Sequence, residues 1–380
     1  MKIILVADTL LTGGAEWFLL RQYKYLKENG HSVNLFVTRP DHIDKRMLQN
    51  FPGVQFHAPS IFLVRLAVLA DRFFKKLFDY PFLLDILNKF KIRSALRKFR
   101  PDVIQSHLMQ ADYKVYLANR KEPVRHIITI HGDYLEHIKK NETRFFNRIK
   151  KLLLAADKIV IISGEQKSVL SNFLPSIIDK LEKIYNGYPQ EKLSPRPSHE
   201  GFYFGMIARA IPEKGWEEAI LAFLKLNHPG SRLLLFGEGP YLDRLSREYT
   251  DERILFRGFI NEPLKAVREM DAGLFPSYYK SESLPTTITE YLLLDKPVIT
   301  TNVGECAEMI KHENVYAGII LNLKNGKPDV EELMDAMHRM LTEKAFFNNC
   351  CQIAAQAKKK FGMDNCMNRY LEIYQKEMTV

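Results

Sequence analysis

Short, almost uninterrupted apolar runs recur along the chain, and segments with helical periodicity lie between them. We predict five strands in the first half, at Lys2–Ala7, Ser32–Val37, Val103–Ser106, Ile127–Ile130 and Lys158–Ile162. Five more are predicted in the second half, at Phe202–Ile207, Arg232–Phe236, Ile254–Arg257, Ala272–Phe275 and Pro297–Thr300. Such apolar strands are typical of parallel sheets covered by helices on both faces. The fold class predicted is therefore α/β, with two Rossmann-like domains.

A stretch rich in proline and glycine, Asn186–Gly201, interrupts this alternation. We interpret it as a linker between an N-terminal domain, 1–190, and a C-terminal domain, 198–364. The last predicted helix, near Asn365–Glu377, follows the second series, so that 365–380 can pack back on the first domain. Open α/β sheets bind ligands at the carboxyl ends of their strands. We expect the two sheets to face each other across a cleft.

Composition narrows the class of protein. Asp8 interrupts the apolar start of the chain, no cleavage site follows it, and no apolar run reaches the ~20 residues of a membrane-spanning helix. The four cysteines form neither a Cys-x-x-Cys pair nor zinc spacing. We therefore expect a cytoplasmic protein without a structural metal. The net charge of +10 favours an anionic partner, such as a sugar nucleotide or a phospholipid surface. No nucleic-acid-binding motif is found, and no nucleic acid is expected.

The strongest motif is Ser281–Glu290, which reads SESLPTTITE and carries two glutamates, Glu282 and Glu290. It follows the predicted strand Ala272–Phe275 and leads into an apolar helix. Pro285 favours a helix start, because its missing N–H is no loss there. Glu282 is then expected on the loop and Glu290 in the first turns of the helix.

Backbone N–H groups around Thr286 and Thr287 would be free at this helix start. Together with the helix dipole they form a binding site for a diphosphate. Two alternatives stay open. Thr287 and Glu290 also fit a capping box, and Glu282 also fits a solvated loop carboxylate.

The second motif, Gly205–Gly215, follows the first strand of the second half and contains Arg209 and Lys214. A guanidinium and an ammonium at a strand end can clamp a pyrophosphate and stabilise it as a leaving group. The alternative is a solvated loop with ordinary surface charges.

Two weaker signals lie in the first half. Gly13 and Gly14 precede a predicted helix and allow close approach of backbone to a ligand, but they also fit a tight turn. His131 follows the strand Ile127–Ile130, where it can donate a hydrogen bond or carry a proton. The alternative is a histidine that is satisfied within its own loop.

In this order, these motifs resemble those of the family-four retaining glycosyltransferases of the GT-B fold. The resemblance runs over nearly the whole chain and is strongest in 202–308. It implies that Arg209 and Lys214 bind the donor diphosphate, that Glu282 contacts the transferred sugar and that Glu290 contacts the ribose.

The resemblance also places Gly13 and Gly14 against the phosphate and sugar, and His131 beside the sugar near the reacting carbon. The donor-binding loop continues through Leu284, Pro285, Thr286 and Thr287. The chain departs from the family at Ala208 and Ala210, which flank Arg209, and at Ser283-Leu284 after the first glutamate. The second departure leaves the identity of the donor sugar open, because that loop lines the sugar pocket.

The implied donor is a nucleotide sugar, a UDP- or GDP-sugar, and the implied acceptor is a glycan or a lipid-linked glycan. The implied hexosyl or related transfer belongs to cell-surface polysaccharide or lipopolysaccharide synthesis and needs neither a cofactor nor a metal. The lack of an Asp-x-Asp motif near a strand end fits that expectation. The alternatives are another GT-B enzyme, such as a glycogen-synthase-like polymerase or a sugar-nucleotide epimerase, and a non-catalytic sugar-nucleotide-binding module.

The segment Ile61–Lys76, IFLVRLAVLADRFFKK, reads as a helix with Arg65, Arg72 and Lys76 on one side and a wide apolar face opposite. More basic residues follow as far as Arg100. A basic amphipathic helix can lie in a membrane interface, which would make the protein peripheral on the inner face of the membrane. The alternative is a core helix with a solvated basic stripe.

Overall fold

The computed structural model describes residues 1–11, 13–74, 82–120, 124–189, 199–280 and 282–375. The chain divides into two compact units. The first unit comprises Met1–Pro189 and Gly362–Val380, and the second comprises Gln190–Phe361. Residues 190–198 of the predicted linker, Ser281 of the glutamate motif, and Lys75 and Lys76 of the basic segment lie outside the described residues.

The first unit has a seven-stranded parallel sheet in the order β3-β2-β1-β4-β5-β6-β7 among its described residues. Its strands are β1 (Lys2–Ala7), β2 (Ser32–Val37), β3 (Phe56–His57), β4 (Val103–His107), β5 (Arg125–Ile130), β6 (Lys158–Ile161) and β7 (Leu181–Lys183). The helices before β4 are α1 (Gly14–Glu28), α2 (Lys45–Gln49), α3 (Ile61–Phe74) and α4 (Leu83–Phe99). Those after it are α5 (Met109–Asn119), α6 (Asp133–Lys139), α7 (Thr143–Ala155) and α8 (Gly164–Phe173).

Alternate residues of β1 show how both faces of this sheet are buried. Ile3 and Leu5 pack into a core that includes α1 and residues 363–374, whereas Ile4 and Val6 pack against α4 and α5. Successive side chains of a strand point to opposite faces, so a strand covered on both sides must be apolar throughout. The apolar runs in the sequence are therefore a consequence of this two-sided burial.

The second unit has a six-stranded parallel sheet in the order β10-β9-β8-β11-β12-β15. Its strands are β8 (Phe202–Ile207), β9 (Ser231–Phe236), β10 (Ile254–Gly258), β11 (Ala272–Phe275), β12 (Val298–Thr301) and β15 (Gly318–Leu321). Two short antiparallel pairs, β13 (Lys311–His312) with β14 (Val315–Tyr316) and β16 (Leu323–Lys324) with β17 (Lys327–Pro328), flank β15. The fold class is confirmed: the chain has two Rossmann-like α/β domains with parallel sheets.

Helices cover the second sheet as they cover the first. They are α9 (Trp216–Leu226), α10 (Pro240–Glu248), α11 (Pro263–Glu269), α12 (Thr286–Leu293), α13 (Cys306–Ile310), α14 (Val330–Thr342) and α15 (Lys344–Ala357). The last helix, α16 (Met363–Gln375), belongs to the first unit. Gly273 of β11 lets α12 approach closely, since a Cβ at this position would lie 2.3 Å from Cδ2 of Tyr291.

Helix α3 shows most of its apolar side chains to solvent. Phe62, Leu66, Leu69 and Phe73 are 53–72% exposed, whereas Val64 and Asp71 on the opposite side are buried. The alternative of a core helix with only a solvated basic stripe is therefore wrong for this segment. No helix in the described ranges has both the length and the apolarity that crossing a membrane requires.

Asp71 holds α3 against the start of α4. Its Oδ1 accepts hydrogen bonds from the backbone N–H groups of Phe82 and Leu83, at 2.9 and 2.8 Å, and its Oδ2 accepts one from Leu84 at 3.0 Å. The first N–H groups of a helix have no partner within the helix. This carboxylate from a neighbouring helix therefore caps α4.

Replacing Asp71 with alanine should lower the free energy of unfolding by about 2–3 kcal/mol, since bonds to a charged acceptor are lost and buried donors are left without one. Urea denaturation measures the change. Glu28→Ala, at an exposed carboxylate of α1, is the control and should change stability by less than about 0.5 kcal/mol. Equal stability of Asp71→Ala and wild type would show that the cap contributes nothing.

Candidate active site

A buried ion pair lies at the carboxyl edge of the second sheet. Lys214 ends a 3₁₀ turn, Pro212–Lys214, which follows β8, and it is only 6% exposed. Its Nζ lies 2.5 Å from Oε2 of Glu282, and the Ser277 hydroxyl donates a hydrogen bond to the same oxygen at 3.0 Å. The alternatives of an ordinary surface lysine and of a solvated loop carboxylate are both wrong for this pair.

Gly215 turns the chain from this 3₁₀ turn into α9. Its φ of +80° lies in the left-handed region, and a Cβ here would lie 2.2 Å from the carbonyl oxygen of Pro276. A side chain at this position would therefore be strained and would also clash. The glycine keeps Lys214 close to the segment that follows β11, where Ser277 lies.

Two cations share one aromatic ring beside the pair. The Arg209 guanidinium carbon lies 5.4 Å from the ring centroid of Tyr279, and the Lys214 nitrogen lies 5.1 Å from it. Both distances are within the range of a cation–π contact. Arg209 is exposed, so its charge remains accessible to an anion. The two cations of the second motif therefore lie on the same ring, as their common position after β8 suggests.

Helix α12 begins beside the end of β8. Its N-cap is Pro285, and the hydroxyl of Thr287 donates a hydrogen bond to the carbonyl oxygen of Ile207 at 3.1 Å. Farther along the helix, the Tyr291 hydroxyl donates to the Gly205 carbonyl at 3.1 Å and accepts from the Ile207 N–H at 3.2 Å. These bonds fix the N-terminus of α12, with its partial positive charge, at the strand end that also leads to Arg209.

The capping-box alternative is wrong. Thr287 is the second residue of α12 rather than its N-cap, and its hydroxyl is bonded to β8. Glu282 lies on the loop before the helix, and Glu290 is the fifth residue of the helix and is 8% exposed. Leu284 and Thr286 are half-buried on the same segment.

In the first unit, Gly13 is the N-cap of α1 and has extended backbone, and Gly14 is the first helical residue. A Cβ on Gly13 would lie 2.6 Å from Oε2 of Glu16, whose other carboxylate oxygen, Oε1, accepts a hydrogen bond from the Thr9 hydroxyl at 3.2 Å. The glycine leaves room for this carboxylate at the helix start.

His131 directly follows β5 and is partly exposed. Its Nε2 lies 3.0 Å from Nδ1 of His107, the last residue of β4, and the two rings are within 17° of parallel. The alternative of a histidine satisfied within its own loop is therefore wrong. Burial lowers the pKa of His131 to about 4 and lowers that of His107 well below its usual value. Both imidazoles are neutral at pH 7.

Two family models match the chain. Residues 12–192 match the model of glycosyltransferase family 4, and residues 189–360 match that of glycosyl transferases group 1. Together the two matches cover nearly the whole chain. The chain belongs to the group 1 glycosyltransferases. Their GT-B fold agrees with the two parallel α/β units described above.

The curated relatives of this glycosyltransferase are distant. An exopolysaccharide phosphotransferase of Streptomyces coelicolor is 26% identical over 227 residues, which cover 58% of this chain but only 23% of that protein. The O-antigen chain mannosyltransferase C of Escherichia coli is 22% identical over 317 residues, which cover 79% of this chain and 82% of the relative.

Among solved structures, the glycosyltransferase is similar to HepE of Anabaena in complex with UDP. The TM-score is 0.75 at 18% identity, over 98% of this chain and 99% of HepE. At that identity the likeness shows the fold.

Two contacts of the glycosyltransferase site were missed in the sequence. Ser277 donates a hydrogen bond to Glu282, and the ring of Tyr279 lies beside both predicted cations, yet neither residue is singled out by the motifs. Both follow β11 within four residues, and functional side chains of open α/β sheets cluster at the carboxyl ends of strands. That rule, applied to every strand, would have found them. No group of three or more His, Cys, Asp or Glu side chains among the described residues is placed to hold a metal ion.

Proposed function

We propose that this glycosyltransferase moves a sugar from a UDP- or GDP-sugar onto a glycan or lipid-linked acceptor with retention of anomeric configuration. The observation that carries the proposal is the grouping of buried Lys214, exposed Arg209 and the N-terminus of α12 at one sheet edge. Two fixed cations and a helix N-terminus suit a diphosphate that gains charge as it leaves.

The contacts of Lys214 support a role in both holding and releasing the donor. An ammonium has three N–H donors. One of them serves Glu282, and the others remain for phosphate oxygens. Glu282 then lies beside the diphosphate, where it would contact the transferred sugar, while Glu290, farther along α12, would contact the ribose.

In the proposed reaction, the acceptor hydroxyl attacks the anomeric carbon from the face that the diphosphate leaves. The bond from the anomeric carbon to the diphosphate breaks as the new glycosidic bond forms, and the diphosphate takes the acceptor proton. Arg209, Lys214 and the N–H groups of α12 stabilise the departing charge, so we propose that no metal is needed. His131 contacts the sugar near the reacting carbon.

The comparisons support the choice of donor and acceptor class. HepE was solved with UDP and with UDP-glucose, and the Escherichia coli relative is a mannosyltransferase of the O-antigen chain. A further relative is a putative teichuronic acid biosynthesis glycosyltransferase of Bacillus subtilis. We therefore propose a role in cell-surface polysaccharide or lipopolysaccharide synthesis at the inner face of the membrane.

The decisive experiment combines binding with turnover. Thermal unfolding is measured with UDP, GDP and ADP and then with the matching sugar nucleotides, because a ligand that binds the native state raises its apparent stability. Transfer is assayed with the best donor in excess EDTA. We expect a rise in melting temperature with UDP or GDP and full activity in EDTA. Tight binding without turnover would favour a non-catalytic binding module, and rescue of activity by manganese would contradict the metal-independent mechanism.

Lys214→Ala and Arg209→Ala should each lower kcat by ~10²–10³, the usual loss when one preorganised contact to a developing charge is removed. Lys225→Ala is the matched control, since Lys225 is an exposed, ion-paired lysine of α9 in the same unit. Circular dichroism checks that each variant is folded. Near wild-type turnover of either site variant would contradict the diphosphate assignment.

Glu282→Gln should lower sugar transfer while leaving the affinity for the bare nucleoside diphosphate nearly unchanged. Glu290→Gln should instead weaken binding of the nucleoside diphosphate itself. The two carboxylates lie on a loop and within a helix, so they are expected to meet different parts of one donor. Calorimetry with the nucleoside diphosphate separates the two effects. Equal weakening by both substitutions would favour purely structural roles.

We also propose that α3 binds an anionic membrane surface. Phe62, Leu66, Leu69 and Phe73 recur at spacings of four, three and four residues, so they form one stripe along the helix. The stripe points away from the buried side, which holds Asp71. Arg65 and Arg72, both exposed, lie along one edge of the stripe. Exposed apolar side chains beside cations match the chemistry of an interfacial helix on anionic lipid.

A double substitution, Phe62→Ser with Leu69→Ser, should reduce binding to anionic liposomes at least tenfold. A fully buried apolar side chain contributes about 1.5–3 kcal/mol, and ten-fold corresponds to about 1.4 kcal/mol. Leu154→Ser, at a half-exposed leucine of α7, is the matched control and should bind like wild type. Liposome sedimentation at low and high salt is the measurement. Wild-type protein that stays in the supernatant at low salt would contradict the proposal.

A further inference from the structure

A chain of buried polar side chains lies behind His131. It runs through α1, α16 and the central strands of the first sheet, and every member except His131 is at most 3% exposed. Its members are Gln22, Gln105, His107, Thr129, Tyr370, Tyr374 and His131. Burying this many polar groups is costly unless they are hydrogen-bonded to one another. The groups in this chain that can only donate therefore constrain which atoms of their partners carry protons.

Gln105 sets the direction of the hydrogen bonds. Its amide nitrogen lies 3.1 Å from Nε2 of His107 and 2.8 Å from the hydroxyl of Thr129. An amide nitrogen only donates, so Nε2 of His107 must accept and carries no proton.

The other end of the same amide is held by donors. The Gln105 carbonyl oxygen accepts a hydrogen bond from the amide nitrogen of Gln22 at 3.0 Å and another from the hydroxyl of Tyr374. The Gln22 nitrogen also donates to the Tyr374 hydroxyl at 3.0 Å, which closes a ring of three bonds. Residues of α1 and α16 thus hold the orientation of Gln105 on β4.

The proton position on His107 determines which atom donates in its hydrogen bond with His131. A neutral imidazole carries one proton, so His107 carries it on Nδ1 and donates it to Nε2 of His131, 3.0 Å away. His131 is neutral as well, because burial lowers its pKa to about 4. Since its Nε2 accepts, the proton of His131 lies on Nδ1.

We infer that Gln105 is a positioning residue that acts through His107 to fix His131 as a hydrogen-bond donor from Nδ1. The ligand it fits is an oxygen acceptor, such as a sugar hydroxyl, and His131 is not the proton acceptor of the reaction. The link to catalysis rests on the proposed function, whereas the tautomer of His131 is a property of the protein alone.

The test measures the tautomer first. Nitrogen-15 spectra of the full chain labelled on histidine distinguish protonated from unprotonated ring nitrogens, and His131→Asn identifies the resonances of His131. At pH 7 we expect the Nδ1–H form at both His107 and His131. Gln105→Met keeps the side-chain length but removes the donor, so the Nδ1–H share of His131 should fall. A wild-type His131 with its proton on Nε2 would overturn the inference.

Ser106→Ala is the matched control. Ser106 is the neighbour of Gln105 on β4, and its hydroxyl makes a buried hydrogen bond with His126 at 2.7 Å, outside the chain that leads to His131. This variant loses a buried bond of the same strand and should keep the Nδ1–H form of His131. If Ser106→Ala shifts the tautomer of His131 as much as Gln105→Met does, a general loosening of the packing around β4 explains the effect and the inference is wrong.

Kinetics then test the role in transfer. Gln105→Met should lower kcat about tenfold or more, as loss of an orienting partner of a functional histidine does, with the affinity for the nucleoside diphosphate unchanged. Ser106→Ala should retain kcat. Unchanged kcat in Gln105→Met, despite a shifted tautomer, would overturn the catalytic part. A wild-type protein that shows the Nδ1–H form but transfers no sugar would support the tautomer assignment and contradict the proposed function.

Discussion

The candidate site of the second unit depends on the buried ion pair between Lys214 and Glu282. Taking two charges out of water costs several kcal/mol each, and removal of one partner leaves the other buried without compensation. The pair is held on both sides, by the left-handed turn at Gly215 and by the hydroxyl of Ser277. A pair with so high a cost and such specific support is better explained by a need to place an ammonium at this point than by stability.

The parallel sheet explains why distant segments supply this pair. Strands β8 and β11 are neighbours, and their carboxyl ends lie at one edge, so the loops that follow them meet. Helix α12 is tied to the same edge through Tyr291, whose hydroxyl bonds the backbone of β8 and whose ring packs where Gly273 has no side chain. The packing that stabilises the sheet thus also determines where the N-terminus of α12 lies. A change in this packing would be expected to move the N–H groups at the start of α12 as well.

Much of the fold could be predicted from the sequence, and the reason is burial on both faces. Strands such as Lys2–Ala7 and Phe202–Ile207 have the predicted bounds because most of their side chains are wholly or partly buried. Short edge strands such as β3 and β7 were missed, since two or three residues are too few to show an apolar run or a periodic pattern. The charges of the candidate site were also predicted, from their places after strands. That Lys214 meets Glu282, 68 residues away, depends on the register of β8 and β11 and on one left-handed glycine.

The buried side of helix α3 is also determined by a specific polar contact. Its composition fits a core helix as well as a membrane-bound one, so the sequence alone left both open. The structure decides which side is buried, because Asp71 must reach the N–H groups at the start of α4. A carboxylate fixed in this way sets the rotation of the helix about its axis. The apolar residues opposite it, Phe62, Leu66, Leu69 and Phe73, are then held toward solvent. A polar cap on one side of α3 therefore maintains an apolar stripe on the other, which gives the stripe a fixed direction.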